Sequence, residues 1–179
     1  MSKLNRLKFE NYSSHLYFKD NMDAFRQFRC LLKFEDALGY DTKSAGYIVL
    51  HKEHSPSGLE DEIPVCLILK SQGYTIELVS ESSEEQTADA LLDNILFEIK
   101  RLKKGTDLAG GIQNHFRRAK RQSENIILHI DHRVDISNLK RSIRKASIRY
   151  KNIKHLCLVY YTQVVELSRD EMQKGDFDI

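Results

Sequence analysis

Thr87-Ala-Asp-Ala-Leu-Leu-Asp-Asn-Ile-Leu-Phe-Glu-Ile-Lys100 is the stretch whose reading decides the fold. Asp93-Asn94 fits a two-residue hairpin turn, because Asp and Asn tolerate the positive φ such turns require. With that loop, 92 pairs with 95 and 89 with 98. Side chains alternate along a strand, so Ile95, Phe97 and Ile99 are expected to point one way and Leu96, Glu98 and Lys100 the other. Asp89 then lies across from Glu98 on one face. Two opposed carboxylates repel unless a proton or a cation sits between them, and a divalent metal would resolve the conflict.

Working outward, the chain has 179 residues, 41% of them hydrophobic, enough for one domain with a sizeable core and an appendage. Residues 1–10 are charged and lack the apolar run of a signal peptide, and no stretch approaches the length of a membrane span. Cys30, Cys66 and Cys157 are isolated in apolar surroundings, which suits reduced buried thiols better than a disulfide framework or a zinc site. A cytoplasmic working place, away from any membrane, is the expectation.

The net charge of +2 conceals an asymmetry. Residues 1–99 hold 10 Lys and Arg against 17 Asp and Glu, residues 100–154 hold 16 against 4, and residues 155–179 hold 2 against 5. A surplus of 12 positive charges within 55 residues is the electrostatic footprint of a polyphosphate partner, although a charge run alone is more often a solvated face.

Residues 1–45 read as a helical appendage, with Phe25, Phe28 and Leu32 at helical spacing and Gly39 as a stop. Tyr47–Leu50 reads as a short strand. His51 and His54 in the following loop lack the partners a zinc site needs. A helix is expected over 60–72 with Ile63 and Leu67 on one face, Pro64 in its first turn and Gly73 after its end. A strand over 74–80 follows, then the hairpin over 89–103. The spacing of Leu108, Ile112, Phe116 and Ala119 predicts a helix over 108–123, with His115, Arg118 and Gln122 stacked along its flank. Residues 125–130 form a buried-type strand. Asp135 or Ser137 caps a helix to about Tyr150, with Leu139, Ile143 and Ala146 inward and Lys140, Arg141, Arg144, Lys145 and Arg149 outward. Residues 154–161 and 164–168 form a last strand pair, and 171–179 reads as a solvated acidic tail.

The order helix, strand, strand, strand, helix, strand from Glu60 to Asp131 resembles the αβββαβ core of the PD-(D/E)xK nucleases. The resemblance implies an α/β (α+β) fold: a restriction-endonuclease-like core with an N-terminal helical appendage and a C-terminal basic helix plus strand pair. It places Asp89 and Glu98-Ile99-Lys100 where that superfamily assembles its metal site. Ala88 stands where the nominal proline would be. The runs Leu69 to Val79, Ala88 to Asp93, Phe97 to Lys100 and Arg118 to Leu128 are also similar to the C-terminal toxin domains of contact-dependent growth inhibition systems and to nuclease domains of mobile-element proteins. The resemblance covers residues 46–170. It implies a nuclease acting on RNA such as tRNA in a bacterial cytoplasm, with an immunity or antitoxin protein as a partner. Some such toxins instead have the barnase/colicin-type fold and cleave RNA without metal.

Phosphodiester cleavage needs charge neutralisation at the phosphate and an activated water, both supplied by Mg²⁺ on one or two carboxylates. Asp89 and Glu98 are the candidate metal ligands, and Lys100 is placed to stabilise the transition state or hold the attacking water. Gln122 and His115 are further catalytic candidates, each also readable as a helix-surface residue. For His129 and Asp131, ordinary strand-end hydrogen bonds are the better reading than a metal. Arg117, Arg118, Arg121, Lys140, Arg141, Arg144 and Lys145 are the candidate nucleic-acid contacts. With no aromatic residues interleaved among them, they predict grip on the phosphate backbone rather than base readout. A metal-free ribonuclease using Lys100, His115 and Arg118, or a non-catalytic binding module, are the alternatives.

Overall fold

The computed structural model describes residues 47–50, 58–79 and 88–179. The expected helix over 21–39, Cys30, His51 and His54 lie outside the described residues. The described part divides into two compact units, one up to Leu96 and the other Phe97–Ile179. The fold is mixed α and β, and the expected order αβββαβ is present from Leu59 to Ile130.

In the first unit, β1 (Tyr47–Leu50) runs parallel to β2 (Thr75–Leu78), with α1 (Leu59–Ser71) between them in sequence. β3 (Ala90–Leu92) is antiparallel to β2. α1 begins one residue before the expected start, so Pro64 falls in its second turn rather than its first. Burial is also wider than one face: Ile63 and Val65 through Lys70 are all buried, because both stripes of the helix find cover. Past its end, Gly73 takes φ +96, a left-handed residue that lets Tyr74 N–H donate back to the Leu69 carbonyl at 3.1 Å. Asp93 and Asn94, between β3 and β4, take φ +48 and +70, the backbone expected of a type I′ turn. The Asp93 carboxylate fixes the turn by accepting from Thr75 N–H at 2.8 Å.

β4 (Ile95–Arg101) leads into the second unit, where it runs parallel to β5 (Asn125–Ile130), which runs parallel to β6 (His155–Tyr160). α2 (Leu108–Ala119) and α3 (Ile136–Arg149) make the two crossovers and pack on each other. β7 (Gln163–Ser168) returns antiparallel to β6. All six residues of β5 are buried, as a central parallel strand requires. One core holds Ile126, Leu128 and Ile130 of β5 against Ile112, Phe116 and Ala119 of α2 and Leu139, Ile143 and Ala146 of α3. The inward set expected for α3 is therefore the observed one, and Asp135 is its cap, accepting from Asn138 N–H at 2.7 Å. α2 approaches Leu102 so closely at Gly111 that a Cβ there would lie 2.6 Å from the leucine Cδ1.

Two further expectations need correction. α2 stops at Ala119 rather than Ser123: the sequence after it, Lys-Arg-Gln-Ser-Glu, offers no apolar residue to bury, and the backbone tightens into turns with Gln122 N–H on the Ala119 carbonyl. The segment expected as a solvated tail instead opens with a helix, α4 (Arg169–Lys174), started by a capping box between Ser168 and Glu171. Asp170, Glu171, Asp176 and Asp178 are exposed as their charge demands, while Met172 and Phe177 join the core. Among the described residues no helix is long and apolar enough to cross a membrane.

Candidate functional site

β4 positions the two residues that matter most. Aligned neighbours in a sheet share a face, and Glu98 aligns with Ile126 while Lys100 aligns with Leu128. Both side chains therefore point to the face that α2 and α3 cover, with Leu102 continuing the row into the core. The simple alternation expected for β4 does not describe its burial. Ile95 and Leu96 are exposed, whereas Phe97, Glu98 and Ile99 are all buried, since the parallel pairing with β5 begins only at Glu98. Glu98 has no solvent exposure. A carboxylate there needs compensation, and Lys100 supplies part of it through an ion pair to Glu98 Oε1.

His115 projects from α2 toward the same region. Burial of its ring, then the charges of Lys100 and Arg118, push its pKa down from 6.5 to about 4, against a smaller upward pull from the Arg101 backbone carbonyl that takes a hydrogen bond from the ring. The imidazole is thus neutral at pH 7, and its Nδ1 is buried with no hydrogen-bond partner among the described residues. The second unit brings Glu98, Lys100, His115 and Arg118 together. Gln122 is half-buried in the turn beyond α2, not in one helical row with His115 and Arg118 as the expected length implied. Asp89 belongs to the first unit. It is half-buried just before β3, its carbonyl accepts from Val79 N–H at 3.1 Å, and its charge joins that of Glu62 in raising the buried Cys66 thiol. Burial first, then these two carboxylates, keep that thiol protonated. Cys66 and Cys157 are both buried free thiols, and burial, helped by Glu166, lifts the latter to about 12.

The opposite face of β4 and β5 carries a group of which the sequence shows Asp131 but not its Arg101 partner. Arg101 pairs with Asp131 at 2.5 Å, and His132 Nδ1 lies 3.4 Å from the other oxygen of that carboxylate. Burial alone would raise Asp131, but the hydrogen bonds from Arg101 and His132 outweigh it and hold the group below its ordinary value. The expected strand-end hydrogen bonding is what Asp131 shows. The partner, Arg101, is legible only from the parallel register that sets it beside His129.

The basic residues lie on α2, α3 and the turn between α2 and β5. Arg117, Arg118, Arg121, Arg141, Arg144, Lys145 and Arg149 are exposed. Arg149 bridges the helices by donating to Gln113 Oε1 at 3.0 Å and lies 5.7 Å from the Tyr150 ring, with Lys120 also over that ring at 5.6 Å. Lys140 is half-buried and sits 5.3 Å over Phe177.

A buried carboxylate is the hard oxygen donor that Mg²⁺ prefers. Among the described residues no three His, Cys, Asp or Glu side chains gather as a ready-made cage. An ion here would rely on one or two carboxylates and its own waters, the usual manner for Mg²⁺.

No curated protein and no solved structure matches the chain. The model of the contact-dependent growth inhibition CdiA C-terminal domain matches residues 86–164. That span holds Asp89, Glu98, Lys100, His115, Gln122 and both basic helices, and the match supports a toxin-like domain of the contact-dependent growth inhibition type there.

Proposed function

We propose that this chain is a nuclease toxin that cleaves phosphodiester bonds in RNA, tRNA being the expected substrate. The observation that carries the reading is the fully buried Glu98 carboxylate paired to Lys100, on a strand whose two following crossovers are basic helices. A carboxylate with no solvent exposure beside a lysine is an expensive arrangement for a merely structural strand. Functional sites are where such groups concentrate.

In this reading Glu98, with Asp89 assigned as its partner from the order of residues in the hairpin, would hold Mg²⁺. The ion, when bound, supplies charge neutralisation at the phosphate and a more acidic water. Lys100 stabilises charge developing on the phosphate, Gln122 orients the nucleic acid, and Arg117, Arg118, Arg121, Arg141 and Lys145 hold its backbone. A toxin of this type needs a neutralising immunity protein in the cell that makes it. One observation favours a second reading, a metal-free ribonuclease. His115, neutral at pH 7, neighbours Lys100 and Arg118, so the two cations can hold a phosphate beside an unprotonated imidazole, although its lowered pKa makes that ring a weak base.

The deciding experiment incubates the purified protein with total tRNA and with plasmid DNA, each in Mg²⁺ and in EDTA. Cleavage of tRNA that requires Mg²⁺ supports the first reading. Cleavage that survives EDTA selects the His115 centre, and binding without cleavage of either substrate by folded protein makes the chain a non-catalytic nucleic-acid-binding module.

A further inference from the structure

The carboxyl ends of β4, β5 and β6 lie along one edge of the second unit, the edge where open parallel sheets bind their ligands. At that edge Tyr160 ends β6 and Tyr161 follows it. Tyr160 pairs with Gln163 to close a two-residue turn made of Tyr161 and Thr162. Tyr161 takes φ +52 there, a left-handed position that Gly fills without strain and a bulky aromatic does not. Burial does not offset the strain, since Tyr161 is 45% exposed.

The residue is nonetheless held firmly. Its N–H donates to the Ile130 carbonyl at 2.8 Å, tying the turn to the end of β5. Its ring meets Tyr160 edge to face, with centroids 4.9 Å apart and planes at 69°. Tyr160 in turn packs on the core, and its hydroxyl accepts from Val134 N–H at 3.5 Å. An edge-on neighbour braces an aromatic ring without occupying both of its faces. The result is a strained, braced and solvent-facing aromatic beside a loop that carries Arg133. Strain retained at an exposed position points to function.

We infer that Tyr161 is a stacking platform for a base of unpaired nucleic acid. The inference rests on the nucleic-acid reading above and deepens it. β6 is two strands from β4, and Leu158, level with Lys100 through Leu128, precedes Tyr161 by three residues, so Tyr161 lies roughly 14 Å from Lys100 at ordinary strand spacing and rise, a span that one bound strand bridges between a base on Tyr161 and a phosphate near Lys100. The basic helices grip phosphates without regard to sequence or pairing, whereas an aromatic platform selects bases that are free to leave their stack.

The test uses the whole chain in EDTA and a short 2′-O-methyl oligoadenylate, with heparin as a probe that offers negative charge and no base. Tyr161→Gly should weaken oligoadenylate binding roughly 5- to 150-fold, the range of one stacked base. It should leave heparin affinity unchanged and raise the melting temperature, because Gly suits the turn. Tyr161→Phe should bind as the parent does. Tyr161→Asn, which also tolerates the left-handed backbone, should reproduce the loss and provides a second folded variant. Unchanged oligoadenylate affinity in a folded Tyr161→Gly protein overturns the inference, and so does an equal loss for oligoadenylate and heparin. Tyr161-dependent binding by a protein that cuts no nucleic acid would overturn the nuclease reading and leave this one standing.

Discussion

Lys100 reaches two residues back along β4 to ion-pair with Glu98, and the two partners differ in their access to water: the lysine side chain is 20% exposed and the glutamate side chain not at all. That difference makes the pair asymmetric to mutation. Lys100→Ala leaves a buried carboxylate without this partner and should cost about 3 kcal/mol, whereas Glu98→Gln leaves an ammonium able to turn toward solvent and should cost about 1 kcal/mol. Denaturant melts in EDTA measure both, and a Lys100→Ala protein more stable than Glu98→Gln contradicts the burial argument. Both variants should be inactive on tRNA if the Mg²⁺ reading holds.

His115 gives the protein a pH-dependent stability of defined sign. Its folded pKa of about 4 lies below the unfolded value of 6.5, so the folded state resists protonation. The contribution is fully present above pH 6.5 and is lost as the pH falls toward 4, on the order of 2 kcal/mol once solvent screening of the partly exposed ring is allowed for. His115→Gln should flatten this part of the stability profile between pH 6.5 and 4. Should the variant and the parent lose stability in parallel over that range, other groups carry the acid sensitivity.

Much of this architecture is legible in the chain. The 3.6-residue spacing of Leu139, Ile143 and Ala146, with Asp135 ahead of it, specifies α3 completely, because an amphipathic helix between a cap and a strand has one solution. Asp93-Asn94 specifies its turn for the same reason: few residues accept positive φ. Burial at Glu98 is not legible. Alternation along β4 says which residues share a face, but only the parallel pairing with β5, a contact distant in sequence, says that both faces are covered. Met172 and Phe177 were hidden by their acidic neighbours, since composition over nine residues averages away two apolar side chains that alone decide packing. Tyr161 carries no local signal either, because an aromatic is what the turn disfavours.

The C-terminal segment should therefore be structural. Phe177 is buried beside Met172 in the core shared with α3, so Phe177→Ala should cost about 3 kcal/mol, in the range of buried aromatic truncations. Removing residues 175–179 should cost at least as much. Asp176→Ala and Asp178→Ala, both exposed, should each stay within about 0.5 kcal/mol of the parent. Thermal melts separate these outcomes, and a truncated chain with unchanged melting temperature would show that the segment is dispensable.

The positive face of α3 divides by the same logic into cations committed to the fold and cations available to phosphate. Lys140 lies over the Phe177 ring, and the Arg144 side chain passes close to Gly175, so both help seat the C-terminal segment. Among the described residues Arg141, which is exposed, is held by Asn138 of its own helix at 2.5 Å, and Lys145, also exposed, has no ion pair. Arg141→Ala with Lys145→Ala should weaken nucleic-acid binding alike for all sequences and leave the melting temperature unchanged. The slope of log affinity against log salt should fall by about 0.7 to 0.9 for each phosphate contact removed. Lys140→Ala should instead lower stability by about 0.5–1 kcal/mol, the range of a cation–aromatic contact whose cation is partly open to solvent, with a smaller effect on the salt slope. Salt titrations of tRNA binding in EDTA, run beside thermal melts, read both quantities on the same proteins. An unchanged slope in the Arg141/Lys145 double variant would mean that α3 turns this face away from the nucleic acid, and the grip would then fall to Arg117, Arg118 and Arg121.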